Sequence, residues 1–291
     1  MEIDLIAVQL FTGVALGAVF VLLSTGLSII FGMLGVVNFA HGAFYMTGAY
    51  AGVFFLALTG NFWLALAAVP LLIGALGLGV ERLLIRPLYG RGPDYPLLLT
   101  FGLGYVLVEI VRILFGTDGV PFETPALLSG GIDLGGLGYF PAYRLFVIAV
   151  TAVILLLLWL LLARTRYGLI IRAGARDPEI LSILGIDIAR VWLLVFGLGT
   201  GLAALAGLLA APMRSVNPEM GVAVLVEAFV VTVIGGMGSL LGGAIAGMLV
   251  GIVVSLTALW MPEMSTISMF AVMTLVLLIR PQGLFGRGLA R

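Results

Sequence analysis

The polar residues that could do chemistry in this chain are few, and several sit inside long apolar stretches. Asn38 and His41 are three apart in GVVNFAHG, Glu109 and Arg112 are three apart in YVLVEIVRIL, and Glu227 stands in VAVLVEAFVV. A spacing of three on a helix puts two side chains on one face, so Glu109 and Arg112 are predicted to pair. Asn38 and His41 are predicted either to satisfy backbone at a helix break or to line a gate. Glu227 is predicted to lie near an outer interface or to face a wet cavity. Ionisable groups at membrane depth are costly, and by default they mark a pathway or a buried pair. Catalysis fits poorly. One His excludes a histidine-built metal site, and the absence of Cys removes disulfides, thiolate chemistry and cysteine-ligated metal. No GxxxxGK[ST] stretch occurs, so this chain is not expected to bind a nucleotide itself. With no assembly of nucleophile, base and metal, no cofactor is expected and the enzyme class is set aside.

A second group of residues suits mechanics rather than chemistry. The polar run RTRYGLIIRAGARDPEILSILGIDIAR occupies 164–190. A passive connection between helices needs only a few residues, and this one encodes a short helix. Asp177 is a good N-cap, Pro178 suits the first helical position, and Glu179 complements the positive helix end. Ile180, Leu181, Ile183 and Leu184 supply apolar surface. Gly185 is placed to end the helix in a left-handed conformation, and Asp187 to cap the next element. A helix this short is not stable alone in water, so it must dock on something. Arg176, Asp177 and Glu179, beside the apolar residues, favour a protein partner over the bilayer surface.

These residues need elements to hold them, and composition says where those elements reside. The 291 residues are 62% hydrophobic and 10% charged, with mean hydropathy +1.27. An ordinary soluble domain carries about 25% charged residues. A water-soluble fold has no way to hide so much apolar side chain, whereas in lipid that surface faces outward. The predicted fold class is all-α, a polytopic transmembrane bundle of eight to nine spans. Apolar segments lie near 6–31, 36–59, 62–85, 96–116, 143–163, 191–213, 221–238, 240–260 and 264–280. The second and seventh are rich in glycine and polar residues, so these two are read as broken or re-entrant candidates. Gly243, Gly247 and Gly251 form a small ridge, as do Ala203, Gly207 and Ala211, and both are read mainly as packing within the chain.

Net charge is zero and all 14 cationic residues are Arg, so nothing calls for a nucleic-acid partner. Arg82, Arg86 and Arg91 cluster after the third segment. Arg164, Arg166, Arg172, Arg176 and Arg190 follow the fifth, and Arg280, Arg287 and Arg291 close the chain. The positive-inside rule places all three groups in the cytoplasm. The loop 117–142, with Asp118, Glu123 and Asp133 and no Arg, is placed outside, and Asn217 and Glu219 are read as part of an outer turn. The start Met1-Glu2-Ile3-Asp4 lacks the basic region of a signal peptide, so the first segment is expected to stay in the membrane.

Four stretches carry a resemblance to a known family. LSIIFGMLGVVNFAHGAFYMTGAYAG at 27–52, RAGARDPEILSILGI at 172–186, AFVVTVIGGMGSLLGGAIAG at 228–247 and RPQGLFG at 280–286 occur in the expected order. Together they resemble the inner-membrane permeases of ABC importers for branched-chain amino acids, the leucine/isoleucine/valine type. Ala43 stands where relatives often have Glu, and Glu227 where relatives often have Lys. Both departures leave the substrate open, with urea or short amides as alternatives within the family. The resemblance implies one transmembrane permease domain over 1–291, with a cytoplasmic coupling loop at 164–190, in a bacterial or archaeal cytoplasmic membrane. It implies a second homologous permease and an extracytoplasmic substrate-binding protein. It also implies two ATP-hydrolysing subunits that meet Arg176, Asp177, Pro178, Glu179, Leu181, Leu184 and Gly185. Asn38, His41 and Glu227 are the candidates for the substrate pathway or its gate. The rival class is an ion-coupled secondary transporter using Glu109 and Glu227. Such a self-contained transporter has no need of the structured loop.

Overall fold

Helices account for nearly all of the regular structure in the computed structural model, which describes residues 2–133 and 139–286. Met1, Arg287 and Arg291 lie outside the described residues. The long helices in chain order are α1 (Glu2–Leu34), α2 (His41–Thr59), α3 (Phe62–Val80), α4 (Asp94–Phe115) and α5 (Ala142–Arg164). Two short ones, α6 (Arg166–Gly174) and α7 (Pro178–Ile183), precede α8 (Ile188–Ala210), α9 (Met220–Gly235), α10 (Leu240–Trp260) and α11 (Ser265–Ile279). Between α4 and α5 a small antiparallel ribbon pairs β1 (Gly131–Asp133) with β2 (Tyr139–Pro141), Ile132 opposite Phe140.

Among the described residues, eight helices are long and apolar enough to cross a bilayer. This is the multi-pass helical membrane fold that the composition requires. Of the two segments read as broken, the second is one of these eight spans and the seventh is not. The second starts late: residues 35–40 are not helical, and α2 begins only at His41. The seventh, α9, has 16 residues, short of the ~20 a full crossing needs. Pro212 and Pro218 lie in the non-helical stretch ahead of it, where a missing N–H and a fixed φ hold off helix formation.

The chain forms two compact units: residues 1–25, 123–153 and 227–291, and residues 26–122 and 154–226. In the first, Phe20 of α1, Val230, Val231 and Ile234 of α9, Ala246 and Val250 of α10 and Met269 of α11 form a buried core. The glycine ridge of α10 lies on α1, Gly247 against Val21 and Gly251 against Gly17. Gln9 and Ser255 lock the same pair reciprocally. The Gln9 amide donates to the Ser255 carbonyl at 2.6 Å, and the Ser255 hydroxyl to the Gln9 carbonyl at 2.8 Å. The last carbonyls of α9, on Ile234 and Gly235, accept from Leu284 and Phe285 N–H at 2.8 and 3.1 Å. Partners of this kind are what a helix end requires when it is removed from water.

In the second unit α8 packs between α2 and α3 through small residues. Gly48 lies on Ala204, Gly207 on the Tyr45 carbonyl, and Gly201 on the Pro70 carbonyl. Close backbone approach replaces the hydrophobic drive that lipid does not supply. A Cβ on Gly207 would collide with the Tyr45 carbonyl oxygen, whereas nothing lies within 4 Å of one on Gly79. Gly207→Leu is therefore expected to destabilise the purified protein by at least the ~1–3 kcal/mol of overpacking, and so to lower its melting temperature. Gly79→Ala is expected to leave it unchanged or slightly raised. Equal melts for the two variants would refute the packing account.

Candidate functional site

The site begins at the loop between α5 and α8, which carries two helices. The first, α6, starts on Thr165, whose hydroxyl accepts from Gly168 N–H at 3.1 Å. The second, α7, starts on Asp177, whose carboxylate accepts from Glu179 and Ile180 N–H at 3.1 and 3.0 Å, with Pro178 in the first position. Gly185 follows at φ +80, a conformation that a Cβ disfavours. Gly185 N–H donates to Ser182 and Ile186 N–H to Leu181, closing the helix end. Asp187 then caps α8 through Arg190 N–H at 3.2 Å.

The apolar residues of α7 divide sharply. Leu181 is 5% exposed, and its methyl group faces Gly174 together with Met33 of α1 and Ile188 of α8. Ile180, Ile183 and Leu184 are 54%, 84% and 69% exposed. Leu181 thus seats the helix, while the outward apolar face is Ile180, Ile183 and Leu184.

Next to the loop stands a polar cluster that the sequence did not signal. After α3 the chain makes a π-helical turn, Glu81–Ile85, then a 3-10 turn, Arg86–Leu88. The Glu81 side chain is fully buried and accepts from Arg86 Nη2 at 3.2 Å and from the Tyr89 hydroxyl at 2.8 Å. Arg86 Nη2 also donates to the Ala189 carbonyl in the first turn of α8, at 3.0 Å. The Tyr89 ring meets Trp192 edge-on, with centroids 4.6 Å apart. Burial, with Glu81 accepting its hydrogen bond, pushes the Tyr89 phenol well above its usual range. The cluster ties the end of α3 to the start of α8, so the arginines of 82–91 and the loop 164–190 share one end of this unit.

At the other end of the same unit, Arg112 of α4 pairs with both Glu109 and Glu219, the latter at 2.7 Å. The Arg112 hydrogen bond holds the Glu219 carboxyl below the usual carboxylate range. Val120 bridges Val216 nearby, so the loop after α4 and the turn containing Asn217 lie at one end. The pairing of Glu109 with Arg112 could be read from their spacing, but the link to Glu219, 107 residues away, had no local signal.

Asn38 and His41 sit together at the entry to α2, both fully buried. His41 N–H donates to the Asn38 carbonyl at 3.2 Å, and the Asn38 side-chain oxygen accepts from Ala40 N–H at 3.1 Å. The Asn38 amide nitrogen is buried with no acceptor among the described residues. His41 packs over Gly26 of α1, and Gly42 lies on Gly221 at the start of α9. Glu227 belongs to the other unit, half-buried on α9. Among the described residues no group of three His, Asp or Glu side chains is placed to hold a metal ion.

Residues 9–277 match the family described as branched-chain amino acid transport system / permease component. The chain is 32% identical over 294 residues to the high-affinity branched-chain amino acid transport system permease protein LivH of Salmonella typhimurium, spanning 96% of this chain and 95% of that one. Against the corresponding protein BraD of Pseudomonas aeruginosa it is 31% identical over 296 residues, again 96% and 95% of the two chains. Against LivH of Escherichia coli K12 the figures are 32% over 296 residues, with the same coverage. No solved structure matches the chain.

Proposed function

The chain belongs to the branched-chain amino acid transport permease family, and from that premise we propose that it is the membrane permease subunit of an ATP-driven importer for branched-chain or related hydrophobic amino acids. It is a single permease domain of a bacterial or archaeal cytoplasmic membrane. It forms the solute pathway with a second, homologous permease and performs no hydrolysis itself. Two ATP-hydrolysing subunits sit on the cytoplasmic side, and a substrate-binding protein delivers solute from the other. The observation that carries this reading is the exposed apolar face of α7, held on a capped helix that ends a loop rich in arginine. Arg176, Asp177, Pro178, Glu179 and Gly185 shape that helix, and Leu181 seats it. The three arginine groups lie on the cytoplasmic side by the positive-inside rule.

Asn38, His41 and Glu227 are proposed to serve the pathway or its gate. A buried amide donor with no acceptor among the described residues, at a helix break, is rare enough to need a reason, and a transient solute carboxylate or water supplies one. The glycine ridge at Gly243, Gly247 and Gly251 is proposed to hold α10 fixed on α1 while the pathway alternates. The test is purification of tagged protein in mild detergent from native membranes, followed by reconstitution. A second permease and Walker-motif ATPases are expected to co-purify stoichiometrically, and leucine uptake to require ATP and the binding protein. Recovery of this chain alone, with uptake driven by an ion gradient, would overturn the proposal.

A further inference from the structure

Arginine on the outer side of a membrane protein runs against the charge bias that sets orientation, so it needs a reason to be there. Arg112 has one in its two carboxylates. Arg144 differs. It is the third residue of α5, half-buried, and its Nη1 donates to the hydroxyl of Thr12 on α1. That hydroxyl donates in turn to the Val8 carbonyl at 2.9 Å, which orients it as an acceptor. A guanidinium carries five N–H donors and stays charged. A neutral hydroxyl takes one donor and offsets none of the charge. Among the described residues no carboxylate pairs with Arg144. Its depth follows from the run behind it. Residues 145–163 of α5 carry no charged side chain, and Arg164 closes that run. Such a run matches the ~20 residues that cross the hydrocarbon core. The two arginines therefore mark its two edges, Arg164 at the cytoplasmic loop and Arg144 at the outer headgroup level. The surroundings also suit an interface. Phe11 of α1 packs on Phe140 with ring centroids 5.2 Å apart, and Tyr143 beside Arg144 is buried. Leu10 and Phe11 keep 39% and 36% of their surface exposed.

We propose that Arg144, positioned by Thr12, binds the phosphodiester of an outer-leaflet phospholipid where α5 meets α1. Charge and depth select the occupant together. A phosphodiester brings one negative charge and two free oxygens, which fit the planar fork of a guanidinium. The bilayer supplies that group at this level, whereas the carboxylate of a soluble partner would have to descend to the edge of the hydrocarbon to reach a half-buried side chain. One cation with apolar and aromatic surface beside it matches a molecule that has an oxyanion at one end and acyl chains at the other. The lipid thus ties the first helix to the fifth. The inference rests on the membrane fold alone, and it holds for any solute and any set of partner subunits.

The experiment is native mass spectrometry of the full chain, with whatever subunits accompany it, in detergent and titrated with phosphatidylglycerol. The parent is expected to keep one lipid per copy of this chain under conditions that strip the rest. Arg144→Gln is expected to hold that lipid about tenfold more weakly, the loss of one charge-assisted hydrogen bond. Arg144→Lys should fall between the two, because it keeps the charge but not the fork. Excess inorganic phosphate is expected to leave the lipid in place, since it lacks the chains. Equal retention by the parent and Arg144→Gln would overturn the proposal. Displacement by inorganic phosphate would do so too, by making the site one for a free anion. Loss of a soluble protein from Arg144→Gln, with the lipid still bound, would assign the arginine to a protein carboxylate instead. A second measurement does not depend on how the arginine variants fold. Benzoylphenylalanine at position 11, in the otherwise unaltered protein in native membranes, is expected to give a phospholipid adduct on irradiation, and adducts with protein alone would overturn the proposal.

Discussion

Replacing Ile183 and Leu184 together by Asp is expected to reduce solute uptake to background and to strip the ATPase subunits from the purified complex, while the chain still inserts and folds. These two side chains are 84% and 69% exposed and do not hold α7 in place. That task falls to Leu181 beneath Gly174, and to the Asp177 cap. Each outward apolar side chain buried by a partner contributes about 1.5–3 kcal/mol. Losing two such contacts, and desolvating two carboxylates instead, exceeds ~4 kcal/mol, or about a thousandfold in affinity. Leu181→Asp tests something else. It puts an unpaired charge into the seat of the loop and is expected to disorder α7 itself, so lost transport in that variant says nothing of docking. The check is uptake in membrane vesicles alongside recovery of the ATPase on tagged protein. Normal uptake by Ile183→Asp/Leu184→Asp, with the ATPase bound, would remove α7 as the docking element.

The contrast between Leu181 and Leu184 marks the limit of what the sequence tells. Its local signals are read with confidence where one residue type has one physical use. Asp177 followed by Pro178 starts a helix, and Gly185 at positive φ ends it. The apolar segments likewise follow from length and composition. Which side of a six-residue helix faces inward is not encoded in its own period, because all four apolar residues fit within two turns. The seat is decided by Gly174, Met33 and Ile188, which reach it from other parts of the chain. The same holds for Glu219, whose guanidinium partner is brought by the fold. Glu81 and Arg86 were missed for a different reason. Helical pairing is sought at spacings of three and four. These residues are five apart, and they meet because the chain makes a π-turn there, with Arg86 N–H donating to the Glu81 carbonyl.

That missed pair has the largest expected effect on stability. Arg86→Ala leaves a fully buried carboxylate with only the Tyr89 hydroxyl, and frees the Ala189 carbonyl as well. Breaking a buried pair from one side costs about 3–5 kcal/mol, and the low end applies because Arg86 is 32% exposed. For a chain of this size the melting temperature in detergent is expected to fall by about 5 °C. Glu81→Gln should cost less, since a neutral amide still bonds Arg86 and Tyr89 and carries no charge to desolvate. The double variant Glu81→Leu/Arg86→Leu should recover most of the loss, because two apolar side chains need no partners. An Arg86→Ala protein that melts like the parent would refute the account. The clamp also sits where movement has to pass. Ala189 lies two residues beyond the Asp187 cap, and α8 leaves the loop that carries α7. With α7 as the docking element proposed above, a push on it would reach α8 at its first turn, and Arg86 would carry it on to α3. Uptake per folded molecule should therefore fall in Arg86→Ala and stay low in the double leucine variant, even though the latter regains its stability. Leucines restore the burial, but they cannot donate to the Ala189 carbonyl, so equal and complete rescue of uptake would show the clamp to be structural alone.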